Sequence, residues 1–165
     1  MRMNGKKGSI PLDMILVFIV FISILSMTVI IAYTVNDGIR TGLDSSDAGF
    51  NTSALNNTGD ALKIFNTGIP FIFFSFFIVA IALAWYLRTT PIISFFMIII
   101  ISIIGYIAQG MSNAFYDFSR SSSMTSAANE FDYVIVLLDN FGIYILIVGI
   151  IIVLFYFAKP KSFNI

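Results

Sequence analysis

The chain has 165 residues, of which 58% are hydrophobic and only 11% are charged, whereas an ordinary soluble domain is about 45–50% apolar and about 25% charged. This composition excludes a soluble globular domain and indicates a chain that lies in a lipid bilayer. The 9 Lys and Arg residues balance the 9 Asp and Glu residues, so no net charge directs the chain toward nucleic acid. We predict a single membrane domain over residues 1–165.

Four uncharged apolar stretches each have about the 20 residues that a membrane-spanning helix needs. We therefore predict an all-α integral membrane protein with transmembrane helices at residues 14–33, 69–87, 91–108 and 140–158. Residues 88–90 are too few for anything but a tight hairpin between the second and third spans, and Pro91 suits the first turn of the third. Pro70 is expected at the entrance of the second span.

Lys and Arg are distributed unevenly between the segments that flank these spans. The tail 1–13, the link 88–90 and the tail 159–165 hold six basic residues and one acid, Asp13. The loops 34–68 and 109–139 hold three basic residues and eight acids. The positive-inside rule predicts that both termini and the link lie on the inner side of the membrane and that both loops lie on the outer side.

The two outer loops differ in their patterns. Residues 34–68 are polar with turn signals such as Asn36-Asp37-Gly38, so we expect this loop to be ordered only in part. Residues 127–138 are apolar enough for an interfacial helix, and Asp139 is expected to be the N-cap of the fourth span. Asp13, at the edge of the first span, and Arg88, in the link, are expected at the opposite interface, Asp13 as a helix cap.

Small residues recur in the spans at the spacing of helix contacts, where they let two backbones approach closely in lipid. The candidates for helix packing are Thr28, Ala32, Ala80, Ala84, Gly105, Ala108, Gly142 and Gly149. The polar residues inside the spans are too few to line a selective aqueous pathway.

The sequence has no His and no Cys, which removes the commonest general base, the usual zinc ligands and thiolate nucleophiles. Asp13 and Asp139 are predicted on opposite faces of the membrane, so they cannot form one carboxylate pair. We therefore expect no enzyme: no catalytic, cofactor-binding or metal-ligating residue is assigned, and neither a cofactor nor a small-molecule substrate is predicted.

Two motifs resemble those of known families. The stretch Ala84-Trp85-Tyr86-Leu87-Arg88-Thr89-Thr90-Pro91, followed by an apolar span and by Ser112-Asn113-Ala114-Phe115-Tyr116, resembles small four-span membrane proteins of tailless, membrane-containing viruses of archaea and bacteria. Thr90 stands where that family has a histidine. The resemblance implies a component of a viral membrane, without catalytic residues.

The tail Lys6-Lys7-Gly8-Ser9, with Asp13 after it, resembles the class III signal of type IV prepilins, which is cut after the glycine. Pilins have one apolar helix and a soluble head, whereas three further spans are predicted here. The alternative is a basic anchor on the inner side, as the orientation requires.

These observations favour a structural or assembly protein of a virion internal membrane or a host cytoplasmic membrane. Its partners would be the lipid bilayer and other membrane or capsid-like subunits, in a homo- or hetero-oligomer. The alternatives are a holin-type protein that permeabilises membranes and an accessory subunit of a cellular membrane complex.

Overall fold

The computed structural model describes residues 10–46, 51–86 and 91–158, and within these ranges the chain forms helices and short turns without any strand. The all-α class predicted from the composition is confirmed. The helices are α1 (Ile10–Asp44), α2 (Ser53–Lys63), α3 (Phe65–Tyr86), α4 (Pro91–Ser119), α5 (Thr125–Ala128), α6 (Asp132–Asp139) and α7 (Phe141–Ala158).

Three helical segments are long and apolar enough to cross a membrane: Ile15–Asp44, Ser53–Ala84 and Ile98–Ser119. A fourth candidate is the pair of α6 and α7, which meets the same criteria only when taken together and is bent by 64° at the break between them. The described residues therefore contain three candidate spans, or four if this bent pair counts as one. These candidate spans agree with a membrane protein. Helix α7 alone has 18 residues and is therefore about 27 Å long.

The bundle is centred on α7, which packs most extensively against α4 and also against α3. Phe73 of α3 is fully buried and contacts Phe77 edge-on at 4.6 Å and Phe141 of α7 at 5.3 Å between ring centroids. Phe18 of α1 stacks on Phe76 at 3.7 Å. Aromatic rings thus join α1, α3 and α7, while the outward faces of the long helices stay apolar and exposed, as lipid contact requires.

The first helix is longer than its predicted span, because residues 34–44 continue α1 instead of forming a loop. The turn predicted at Asn36 does not form, because the side chain of Asn36 bonds to a residue of another helix. The Asn36 side-chain amide donates to the carbonyl of Leu55 at 2.9 Å, so it does not compete with the helix for its own backbone. An ion pair between Asp37 and Arg40, at 3.0 Å, adds support across one turn.

The helix that contains the second predicted span begins before residue 69. Only Ile64 separates α2 from α3, so Pro70 lies inside α3 and not at its entrance. The missing N–H of Pro70 leaves the carbonyl of Asn66 without its helical donor. The helix tolerates this proline because Pro70 lies close to the start of α3, where only a few backbone hydrogen bonds of the helix come before it.

The predicted interfacial helix at 127–138 is divided into α5 and α6 by a turn at residues 129–131. Asp139 is the last residue of α6 and not the N-cap of α7, which is a correction to the sequence prediction. The side-chain amide of Asn140 donates back to the carbonyl of Val136 at 2.9 Å and so closes α6. The Asp139 carboxylate pairs with Arg120, because that cation lies within reach across the α4–α6 contact.

Candidate functional site at the polar end of the bundle

The two segments predicted as outer loops meet at one end of the bundle, here called the polar end, which comprises residues 34–46, 51–68 and 109–139. The hydroxyl oxygen of Thr34, which donates to the Ile30 carbonyl of its own helix, lies 3.4 Å from the sulfur of Met124. Lys63 pairs with Glu130 at 2.9 Å. Segments far apart in sequence are thus joined here by side chains.

A polar cleft of about 350 Å³ lies between the end of α1 and α2. Its lining residues are Tyr33, Asn36, Asp37, Arg40, Leu55, Asn56, Gly59, Asp60 and Lys63. Two cations and two carboxylates balance each other in this lining. A Cβ at Gly59 would lie 3.2 Å from the Asn36 side-chain nitrogen, so the glycine allows the close approach of α2 to α1.

Lys63 joins α2 to the turn before α6. Its ammonium lies 2.9 Å from Glu130 and 5.6 Å from the centre of the Tyr33 ring. The hydrogen bond to Glu130 raises the pKa of Lys63 above its ordinary value of 10.5, against a smaller opposing effect of desolvation. The raised pKa of Lys63 means that its protonated form stabilises the fold at neutral pH, and this contribution is lost as the pH rises through the raised pKa. Both side chains are more than 40% exposed, which limits its strength.

The first turn of α6 is capped from another helix. The side-chain oxygen of Asn66, at the start of α3, accepts hydrogen bonds from the backbone N–H groups of Tyr133 at 3.0 Å and Val134 at 3.2 Å. These are N–H groups of the first turn, which have no partner inside their own helix. No side chain caps α6 locally, so the position of this helix depends on α3.

The break between α6 and α7 contains the most enclosed charge of the polar end. The Asp139 side chain is 18% exposed, and one of its oxygens pairs with the Arg120 guanidinium at 3.2 Å. Its other oxygen is enclosed without a hydrogen-bond partner. Arg120 also lies 3.5 Å from the centre of the Tyr116 ring, and the hydroxyl of Ser112 donates to the Asp139 carbonyl at 2.6 Å. These contacts attach α4 to the break.

All three predicted packing glycines lie in the interface between α4 and α7. A Cβ at Gly105 would lie 2.8 Å from the Cγ of Leu146, and one at Gly142 would lie 3.0 Å from the Cα of Gln109. A Cβ at Gly149 would overlap the methyl group of Ile101. Ala108, also on α4, is fully buried. The two helices thus approach each other at positions where one side lacks a side chain.

The remaining packing candidates are not gathered into one interface. Ala84 is buried and Ala80 is partly buried on α3. Ala32 is partly buried on α1, whereas Thr28 is exposed and its hydroxyl donates only to the Ile24 carbonyl of its own helix, at 2.8 Å.

The structure does not describe the side chains of the two residues predicted at the inner interface. The backbone of Asp13 belongs to α1, but its side chain is not among the described ones, and Arg88 lies outside the described residues, as does Gly8-Ser9. Within the described parts of the chain, no cluster of three or more acidic residues could hold a metal ion.

The sequence did not indicate the roles of Asn66, Lys63 and Glu130, whose side chains join segments that are far apart in the chain and are here called the bracing residues. It did predict that both of the loops in which they lie are on one side of the membrane. Their residue types are ordinary for a polar loop, and only the fold brings them to their partners. Comparison of the chain with protein-family models, with curated proteins and with solved structures finds no match.

Proposed function

We propose that this chain is a non-enzymatic integral membrane protein with a structural or assembly role. The observation that carries the proposal is the bracing of the polar end. Asn36, Lys63, Asn66 and Arg120 each hold one helix against a segment distant in sequence. These contacts join the helices of the polar end to one another.

The proposed topology has four crossings, with α7 as the fourth and both termini on the inner side. It is supported by the Lys and Arg bias of the sequence and by the gathering of both acidic segments at the polar end. Because the chain has no Cys, single cysteines at Ser46 and Lys161 can be labelled without background. We expect a membrane-impermeant maleimide to label Ser46→Cys in sealed, outside-out vesicles and to label Lys161→Cys only after the vesicles are opened. The reverse pattern would refute the orientation.

The viral setting belongs to the same proposal, supported by the resemblance of the segment around Arg88 and Pro91. We expect the protein to cross-link in its native membrane to copies of itself or to capsid-like subunits, and to be found in purified particles. Purification with larger cofactor-bearing subunits would instead indicate a cellular complex. A timed loss of membrane potential on induced expression would indicate a holin. A protein that stays monomeric in mild detergent and cross-links to nothing would refute the structural role.

A further inference from the structure

One face of α1 is left without a partner along most of the helix. Within the apolar span this face carries Val17, Phe21, Ile24, Thr28 and Ile31, all exposed. They are spaced alternately by four and three residues. A 3.5-residue repeat of this kind keeps one stripe of a helix directed toward a second helix over its whole length.

The same stripe continues past the predicted span through Val35, Gly38 and Gly42, which are also exposed. At about 1.5 Å per residue, residues 14–33 already fill a hydrocarbon core about 30 Å thick. Val35 is 55% exposed, and its neighbour Ile39 is 50% exposed, at the level of the polar cleft. With the hydrocarbon core at residues 14–33, as in the proposed topology, lipid chains cover the stripe up to Ile31 and do not reach these residues.

From Val17 to Gly42, the stripe and the positions beside it carry no charge. The charged residues at this end of α1 are Asp37, Arg40 and Asp44, and helical spacing places them on the sides of the helix away from the stripe. Asp37 and Arg40 instead line the cleft toward α2. Two copies of α1 facing each other along the stripe would therefore bring no like charges together at the polar end.

The two glycines allow the closest approach. A Cβ at Gly38 or Gly42 would have nothing within 4 Å in the structure, so neither glycine is required for packing inside the chain. Because a glycine has no side chain, two α1 backbones can approach more closely at these positions than at the other residues of the stripe. Copies of one chain in one membrane share their orientation, so a two-fold axis along the membrane normal sets each residue of the stripe against its own copy.

We propose that α1 forms a parallel homodimer with α1 of a second copy, through the stripe that contains Val17, Ile24, Ile31, Val35, Gly38 and Gly42. This inference rests on the proposed structural function and deepens it by naming the first partner as the chain itself. The uncharged, evenly spaced stripe fits an identical stripe, and it needs no complementary charges from a different partner.

Disulfide cross-linking tests the register, because a disulfide forms only when the two Cα atoms come within about 4.4–6.8 Å. We expect Val35→Cys and Gly38→Cys to form covalent dimers on mild oxidation in phosphatidylcholine vesicles, and the matched exposed variant Asp44→Cys, off the stripe, to form few. Equal cross-linking at all three positions, or a maximum at position 44, would overturn the proposal.

A steric variant tests the same contact without oxidation. Gly38→Leu combined with Gly42→Leu has room inside the monomer, so we expect its thermal stability to be retained and its apparent dimerisation constant, measured by energy transfer between labelled copies, to weaken about tenfold or more. The control is Gly110→Leu, an exposed glycine of α4 with equal space around it, which should dimerise like the parent. Unchanged dimerisation of the double variant would overturn the proposal.

The two proposals can fail separately. A chain that shows no cross-linking at positions 35 and 38 but still assembles with other subunits would overturn the α1 pair and leave the structural function in place. A chain that cross-links at these positions but is absent from purified particles and joins no capsid-like subunit would support the pair and contradict the viral setting of the proposed function.

Discussion

The close approach of α4 and α7 predicts a strict size limit at Gly142. A methyl group at this position would lie 3.0 Å from the Cα and 3.1 Å from the Cβ of Gln109, whereas carbon atoms in good contact are about 3.5–4.0 Å apart. The Gln109 side chain can rotate away, but its Cα cannot. Gly142→Ala therefore requires the two helices to separate locally by about 0.5–1 Å.

The expected cost follows from two opposing effects. Overpacking a well-packed interface costs about 1–3 kcal/mol, while replacing glycine by alanine inside a helix gains at most about 1 kcal/mol. The gain is smaller at Gly142 because it is the second residue of α7. We expect a net destabilisation of about 1–2 kcal/mol. Gly110→Ala is the matched control, because a Cβ there meets nothing within 4 Å and only the helix-propensity gain remains.

The measurement is reversible unfolding in mild detergent micelles by titration with SDS, followed by circular dichroism. Gly142→Ala should unfold at a lower SDS fraction than the parent, and Gly110→Ala at the same or a higher fraction. Equal stability of the two variants would refute the argument that Gly142 allows the close approach of the α4 and α7 backbones.

Three further predictions concern the bracing of the polar end. Asn66→Ala should cost about 0.5–2 kcal/mol by removing the cap of α6, seen as faster amide hydrogen exchange in α6, and Asn66→Asp, which keeps the acceptor oxygen, should restore protection; exchange that is equal in both variants would contradict the cap. Arg120→Gln should destabilise by about 1–2 kcal/mol because it leaves a mostly enclosed carboxylate unpaired, and adding Asp139→Asn should recover part of that loss in the same SDS titration. Lys63→Gln and Glu130→Gln should each cost less than about 1 kcal/mol, decreasing further at high salt, since this pair is exposed; a larger, salt-independent loss would show that the pair is more enclosed than the structure indicates.

The long apolar helices were predictable from the sequence because lipid imposes a simple rule, namely about 20 apolar residues with every backbone group bonded inside its own helix. The ends of the helices followed a different rule. The predicted turn at Asn36 does not form, since its side chain bonds to Leu55. Asp139 pairs with Arg120 instead of capping α7. In both cases a contact with a residue distant in the chain outweighs the local preference for a turn or a cap. The sequence around each residue does not indicate which residue it will contact.

The packing residues show a similar division. The spacing of Gly105, Gly142 and Gly149 indicated helix contacts, and the structure places all three between α4 and α7. The sequence could not pair each glycine with the residue that fills its space, because that depends on the relative rotation and shift of two helices. Asn66 gave no signal at all, since the N–H groups that it caps lie 67 and 68 residues further along the chain.

The cap that Asn66 provides for α6 has a consequence for the order in which the chain folds. Helices in membranes insert individually before they associate, and α6 is too short, at 8 residues, to be stable alone. We therefore expect α6 to form fully only after α3 is in place and Asn66 can accept its hydrogen bonds. The bend into α7 would then be set late in synthesis, so that completion of the polar end reports that the earlier helices are already in position.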